Sequence, residues 1–174
     1  MSRIPALRDL PELRRPHFFP GRLLTETDLT AEQEYHRERS RLQNRLLHGW
    51  GVVDGLDVRS TGGRITVSPG VAIDPSGDFV FVRDERELLV PPSPVAKASC
   101  FVVVHYSEVQ VNPMPMIGSG SGDSLRYGTI IEGATCSVQE TLPRAADAGV
   151  AVARLIWRST QWRVDARYRR RKAR

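Results

Sequence analysis

At Gly51 the apolar pattern of this chain changes period, and that change decides what the chain can fold into. Upstream, Leu29, Tyr35, Leu42, Leu46 and Leu47 recur at the spacings of a helix. Downstream, apolar residues alternate every second position in short runs, the signature of strands. Gly49 and Gly51 mark the break, because glycine takes the left-handed backbone that a helix end often needs. The spacing predicts one helix over residues 30–47 and a β-rich body after it.

Thr30 and Gln33 have the spacing of a capping box, in which each side chain satisfies the other's free backbone donor. Glu26, Asp28, Glu32 and Glu34 crowd the helix start, and Arg37, Arg39, Arg41 and Arg45 follow, an order that suits the helix dipole. Glu34 with Arg37, and Glu38 with Arg41, are one turn apart and can pair. The helix lacks a continuous core face, since residues 36–41 hold no large apolar side chain. Two readings fit that gap. Either the helix is solvated and pinned against the sheet by its last turn and Trp50, or it is covered in an assembly, by copies of itself or by another protein.

In the body, Val53, Leu56 and Val58 begin a strand, Gly62-Gly63 turns a hairpin, and Ile65 and Val67 return from it. After a turn at Ser68-Pro69-Gly70, Val71, Ile73, Phe79 and Phe81 alternate around Asp74-Pro75-Ser76-Gly77-Asp78, a second hairpin. Leu88 to Val90 completes the run. Beyond the stiff Pro91-Pro92-Ser93-Pro94 connector, Phe101 to Tyr106 is the most apolar strand and reads as a central one. Residues 112–124 form a long irregular loop bearing Met114, Met116 and Ile117, which marks either a contact partner or a loop folded back on its own sheet. Ile130, Ile131, Cys136 and Val138 indicate further strand. Val150 to Trp157 and Trp162 to Val164 form a last hairpin around Ser159-Thr160-Gln161. The expected fold is mainly β with one N-terminal helix: a small antiparallel sandwich or barrel of short strands, plus an extended N-terminal arm. Residues 1–51 make the arm and docking helix, 52–166 the β-rich domain, and 167–174 a basic tail.

Composition narrows the function. No apolar run approaches a membrane span, and the N-terminus has charges and prolines where a secretion signal needs an apolar stretch, so synthesis and retention in the cytoplasm are expected. Cys100 and Cys136 read as reduced core thiols. The net charge of +5 is a tail property: from Arg154 onward there are nine basic residues against one acidic, while the first 153 residues are slightly acidic. No cofactor, metal or catalytic set is expected. His48 lacks a nucleophile motif beside it. Asp54, Asp57, Asp74 and Asp78 lack the ligand spacing of a calcium loop, and Asp74 to Asp78 reads as a turn. Gly118 to Gly122 has no Gly-Lys-Ser/Thr after it, so it is no phosphate cradle.

Several of these residues form a familiar pattern. Phe18, Gly21, Leu23 and Leu24 make an aromatic-x-x-Gly-x-Leu-Leu entry. Thr25 and Asp28 give a Thr-x-x-Asp-Leu helix start, and residues 47–56 read Leu-His-Gly-Trp-Gly-Val-Val-x-Gly-Leu. Pro69 to Gly77 form a Pro-Gly-x-Ala-Ile-Asp-x-x-Gly hairpin. This pattern resembles structural proteins of phage tails and phage-tail-like contractile injection systems, over about residues 17–83. The resemblance implies a non-enzymatic baseplate or fibre-attachment component within an assembled particle, a virion or an injection system. Its partners would be copies of itself, with a trimer the expected state, and other tail or baseplate subunits. It also shifts the reading of the helix toward a surface that neighbours cover.

The residues expected at the assembly interface are Phe18, Phe19, Leu24, Tyr35, Leu42, Leu46 and Trp50, with Met114 and Met116 as a second patch. The alternative function is an anionic-surface binder, of nucleic acid or membrane, acting through Arg167, Arg169, Arg170, Arg171, Lys172 and Arg174. Tyr168 alone among aromatics lies in that cluster, so base stacking is poorly provided for, and docking or solvation of the tail is favoured.

Overall fold

The computed structural model describes residues 10–92, 98–114 and 126–173. It is mainly β with one N-terminal helix, and its antiparallel sheets include a curled half-barrel. Helix α1 (Glu26–Leu47) leads into β1 (Gly51–Gly55), β2 (Val58–Thr61), β3 (Arg64–Val67), β4 (Gly70–Ile73), β5 (Phe79–Val82) and β6 (Arg86–Leu88). Two long strands follow, β7 (Ser99–Met114) and β8 (Arg126–Gln139), then β9 (Gly149–Arg158) and β10 (Gln161–Val164).

The short strands sort into two three-stranded sheets, β1-β4-β5 and β2-β3-β6, and the long ones make a four-stranded sheet in the order β10-β9-β7-β8. The chain changes sheets at Gly55 and Leu56, whose φ values of 62° and 56° are both left-handed. Gly55 is there because a Cβ would lie 2.3 Å from the Pro69 carbonyl oxygen. Leu56, fully buried, offsets its strained backbone with apolar burial. The expected single strand from Val53 to Val58 is therefore two strands, one in each small sheet.

Both predicted hairpins form, β2–β3 and β4–β5. In β5, however, Val80 and Val82 enter the core, while Phe79 and Phe81 point outward and stack with centroids 5.6 Å apart. The strand β7 is interior, as its apolarity implied, flanked by β8 and β9. The core gathers Leu56, Ile65, Val67, Val80, Val102 and Leu155 from all three sheets. Trp162 plugs one end, edge-on to Trp157 at 5.4 Å, with its indole N–H donating to the Pro91 carbonyl at 3.0 Å. Cys100 and Cys136 are free, and burial pushes the Cys100 thiol up to about 11. The irregular loop begins later than expected, because β7 runs on to Met114; the calls on Met116, Ile117, the glycine run and Arg174 lie outside the described residues.

The basic tail is laid along its own body. The Val52 N–H donates to the Arg171 carbonyl (2.8 Å) and the Ala173 N–H to the Val52 carbonyl (3.1 Å), so Lys172 bridges Val52 in parallel. Gly51 makes room for this, since a Cβ there would sit 2.7 Å from the Arg171 carbonyl oxygen. Arg170 donates to the Leu56 carbonyl (2.8 Å) and pairs with Asp57 (3.1 Å). Asp165 starts the turn into the tail by accepting from the Arg167 N–H (3.0 Å) and from the Arg154 guanidinium. Those two contacts, the backbone N–H first, hold its carboxyl below the ordinary value. A carboxylate of lowered pKa adds stability that is complete above the unfolded-state pKa and fades as pH falls through the lowered one. Asp165→Asn is thus expected to lower the thermal midpoint at neutral pH, with the difference from wild type shrinking as the pH is taken below the ordinary carboxylate range, as calorimetry over a pH series would record.

Candidate functional site: the docking helix and its surroundings

The helix begins four residues earlier than the Thr30–Gln33 spacing indicated. Thr25 is its N-cap: the Asp28 N–H donates to Thr25 Oγ1 at 3.2 Å, and Asp28 accepts from the Thr25 N–H at 3.1 Å. Those two reciprocal bonds, with Arg22 paired to Asp28, fix the start at Glu26. The same bonds, the Thr25 side chain first, hold the Asp28 carboxyl below its usual range. Thr30 and Gln33 lie inside the helix. At the other end His48 is the C-cap, donating its N–H to the Asn44 carbonyl at 2.9 Å, and Gly49 follows with φ 68°. The expected glycine stop is borne out, as are the pairs Glu34–Arg37 (3.8 Å) and Glu38–Arg41 (2.8 Å).

What α1 presents to its own body is polar. Asn44 is its one buried residue, donating from Nδ2 to the Gly77 carbonyl at 2.8 Å. Arg41 reaches Asp78 through Nε at 2.7 Å, and Arg37 reaches Glu108 on β7 at 2.7 Å. Tyr106 donates to the same Glu108 oxygen at 2.7 Å, and burial first, then the two nearby glutamates, raise its phenol pKa. The receiving turn is built for close approach. Asp74, fully buried, accepts from the Gly77 and Asp78 N–H groups at 2.8 and 2.9 Å, which shapes residues 74–78. Burial pushes the Asp74 carboxyl above its ordinary value. Gly77 (φ 98°) then comes so near the helix that a Cβ would lie 2.3 Å from the Arg41 carbonyl oxygen.

Arg37, Arg41 and Asn44 occupy one stripe of the helix. At 3.6 residues per turn, Tyr35, Leu42 and Leu46 lie on the far side, roughly 150° round the axis. Those three are half-buried. Around the helix entry the apolar residues are open: Phe18 at 45%, Phe19 at 56% and Leu24 at 52% exposure, with Leu23 and Leu29 also exposed there and Leu47 exposed at the helix exit. The helix thus docks through the polar side chains of Arg37, Arg41 and Asn44, with Tyr35, Leu42 and Leu46 off that stripe.

The remaining expected residues are placed apart. Trp50, half-buried, lies under the Arg171 guanidinium at 4.0 Å from the ring centroid, and Arg171 Nε donates to the Trp50 carbonyl at 2.8 Å. This cation–π contact ties the helix exit to the C-terminal tail, so Trp50 serves the clamp rather than the open patch. Met114 is exposed at the far end of the β7–β8 ribbon, away from the helix entry in the chain and paired with Arg126. In the basic cluster, Arg170 and Arg171 are engaged as described, Arg169 donates to the Ala166 carbonyl at 2.9 Å, and Arg167 contributes its backbone N–H to Asp165. A groove of about 340 Å³ beside the tail is lined by Val58, Val152, Val164, Tyr168, Arg169 and Lys172, among others. Among the described residues no group of three or more potential ligands is placed to hold a metal ion, and no helix is long and apolar enough to cross a membrane.

The chain superposes on a chain of the type VI secretion system TssK–TssF–TssG baseplate subcomplex with TM-score 0.54 and 15% identity, covering 92% of this chain and 62% of that one. It matches a chain of the type VI secretion baseplate complex with TM-score 0.56 and 15% identity, over 92% and 42%. The crystal structure of TssK gives TM-score 0.57 and 14% identity, over 88% and 41%. The likeness is one of fold, and the chain spans between two fifths and two thirds of the solved chains it matches. No protein-family profile and no curated protein matches it.

Loss of the polar docking set should free the helix without opening the core. Asn44→Ala, which leaves the Gly77 carbonyl without its donor, is expected to cost about 1–3 kcal/mol of helix docking. Hydrogen exchange would then quicken in residues 30–47 and stay slow in β7 and β9; equal acceleration throughout would contradict a locally docked helix.

Proposed function

We propose that this chain is a non-enzymatic structural subunit of a phage tail or contractile injection system, working at its baseplate or fibre-attachment region. One observation carries the reading: α1 is fastened to the body by Asn44, Arg41 and Arg37, while Phe18, Phe19, Leu23, Leu24 and Leu29 stand exposed around its start. An isolated exposed leucine needs no explanation, but contiguous exposed apolar groups mark contact surfaces. The fold likeness to TssK-containing baseplate structures supplies the kind of assembly.

In this reading the N-terminal arm and the outer side of α1 dock on neighbouring subunits, and the chain is a homo-oligomer, a trimer, within the particle. Phe18, Phe19, Leu24, Tyr35, Leu42 and Leu46 supply the apolar contact, and arginines along the helix set register. The particle is an injection machine or a virion. The engagement of Arg170 and Arg171 with Leu56, Asp57 and Trp50 supports a structural task for the tail over capture of nucleic acid or membrane.

Phe18→Ser with Phe19→Ser is the direct test. These side chains are exposed in the lone chain, so the variant should melt as wild type does. Its recovery with co-purified baseplate proteins should collapse. Normal incorporation of the double variant would contradict the reading.

A further inference from the structure

The seam between two sheets opens into a groove that the functional reading does not use. β2 and β10 are each the outermost strand of their sheet, and Ser60 Oγ donates to the Trp162 carbonyl at 2.7 Å across the gap between them. Two residues away from these along each strand, Val58 and Val164 line a groove of about 340 Å³. Val152 and Ala153, both buried, give it an apolar floor. The C-terminal strap supplies the other wall, with Tyr168, Arg169, Arg170 and Lys172. Ligand pockets run from roughly 300 to 1,000 Å³, so this one is at the small end, with room for a single bulky side chain and the backbone beside it.

The strap fixes its backbone to the body and leaves cations over this groove. The Arg171 carbonyl and the Ala173 N–H, on either side of Lys172, make the bridge to Val52, so the Lys172 side chain takes no part in it. Arg169 uses one guanidinium nitrogen on the Ala166 carbonyl and keeps further donors. Two carboxylates also line the groove, and each is matched: Asp57 by Arg170 at 3.1 Å, Asp165 by Arg154. Arg169 and Lys172 are exposed, and among the described residues neither has a carboxylate within ion-pair distance. Two unmatched positive charges therefore stand beside an apolar floor.

We propose that the groove binds an acidic peptide segment of another protein, with one bulky apolar side chain set between Val58, Val152 and Val164 and flanking carboxylates on Arg169 and Lys172. Charge complementarity selects this occupant. A purely apolar segment would leave both cations unmatched. A nucleic-acid backbone carries a charge at every residue and would meet Asp57 and Asp165 on the walls. Its bases would also need open aromatic faces, and among the described residues the groove offers one ring, Tyr168, already packed on Phe101 with centroids 5.9 Å apart. A peptide with spaced carboxylates avoids that opposition, and its backbone N–H groups can donate to the exposed Asp57 carboxylate. None of these residues belongs to the Phe18–Leu29 patch, so the groove is a second contact surface, beyond the one that carries the baseplate reading.

The test titrates the isotopically labelled full chain with the peptide Glu-Asp-Glu-Leu-Glu-Asp-Glu and follows its backbone amide resonances. The amides of Val58, Val152, Val164 and Tyr168 should shift, and those of α1 should not. Arg169→Glu with Lys172→Glu should weaken binding about tenfold or more, through the loss of two charge pairs and their reversal. Arg45→Glu with Arg126→Glu, the same change of net charge on the helix and the distal ribbon, should leave binding at the wild-type level. Alanine in place of the peptide's leucine should weaken binding to the wild-type chain about tenfold, an arm that stands whether or not the charge variant folds well. Equal weakening by both double variants, equal binding of a peptide with lysine at each acidic position, shifts only outside the groove, or no binding would overturn the proposal. Single-stranded DNA that shifts the same amides at equal or lower concentration would overturn it too, and would assign the groove to nucleic acid. Incorporation of the Phe18 and Phe19 double variant tests the baseplate reading through other residues, so either inference can fail alone.

Discussion

The structure depends on a close approach between a helix and a turn. Asp74 folds residues 74–78 by accepting two backbone N–H groups, and Gly77 then lets the helix backbone come within the space a Cβ would occupy. Asn44 and Arg41 complete the contact with a neutral and a charge-assisted hydrogen bond. Neighbouring Asp78 raises the Arg41 pKa, but that pair is partly solvated, and such pairs contribute little on their own. What holds α1 is the fit of backbone to backbone with its buried donor and acceptor matched. A helix docked in this way does not need its apolar side chains for folding.

The same economy appears at the helix exit. Trp50 is covered by Arg171, and Val52 is bridged by Lys172, so the last residues of the described chain brace the joint between α1 and β1. Gly51 is the position that permits both the turn out of the helix and the approach of the tail. A stretch that reads from composition as a free cationic arm is instead part of the scaffold. The direction in which the helix projects is set by the hairpin turn on one side and by this strap on the other.

Much of this was legible in the sequence. The period change at Gly51, both small hairpins, the interior position of β7 and the last hairpin follow from local patterns, because turn residues and alternation act over a few positions. Two capping patterns compete at the start of α1: the Thr30–Gln33 spacing placed it too late, whereas the Thr25–Asp28 start that the resemblance carried is the real one, through bonds that also recruit Arg22. The split of β1 from β2 at Leu56 and the outward turn of Phe79 and Phe81 depend on which sheet each strand joins, a long-range choice that periodicity does not encode. For the candidate site, Phe18, Phe19 and Leu24 are exposed at the helix entry. The polar pegs were not legible, since an asparagine in a helix gives no sign of being its buried residue. The tail's contacts were hidden for the same reason, being made to residues more than a hundred positions away.

The central claim is that the arm before α1, exposed in the lone chain, and the half-buried outer side of α1 are covered in the machine. Hydroxyl-radical footprinting of side chains, compared between the purified chain and the assembled particle, tests it most directly. The account predicts that Phe18, Phe19, Leu24 and Tyr35 lose reactivity on assembly while the core residue Leu155 stays unreactive in both states. Equal labelling of those four side chains in the free and the assembled chain would contradict it.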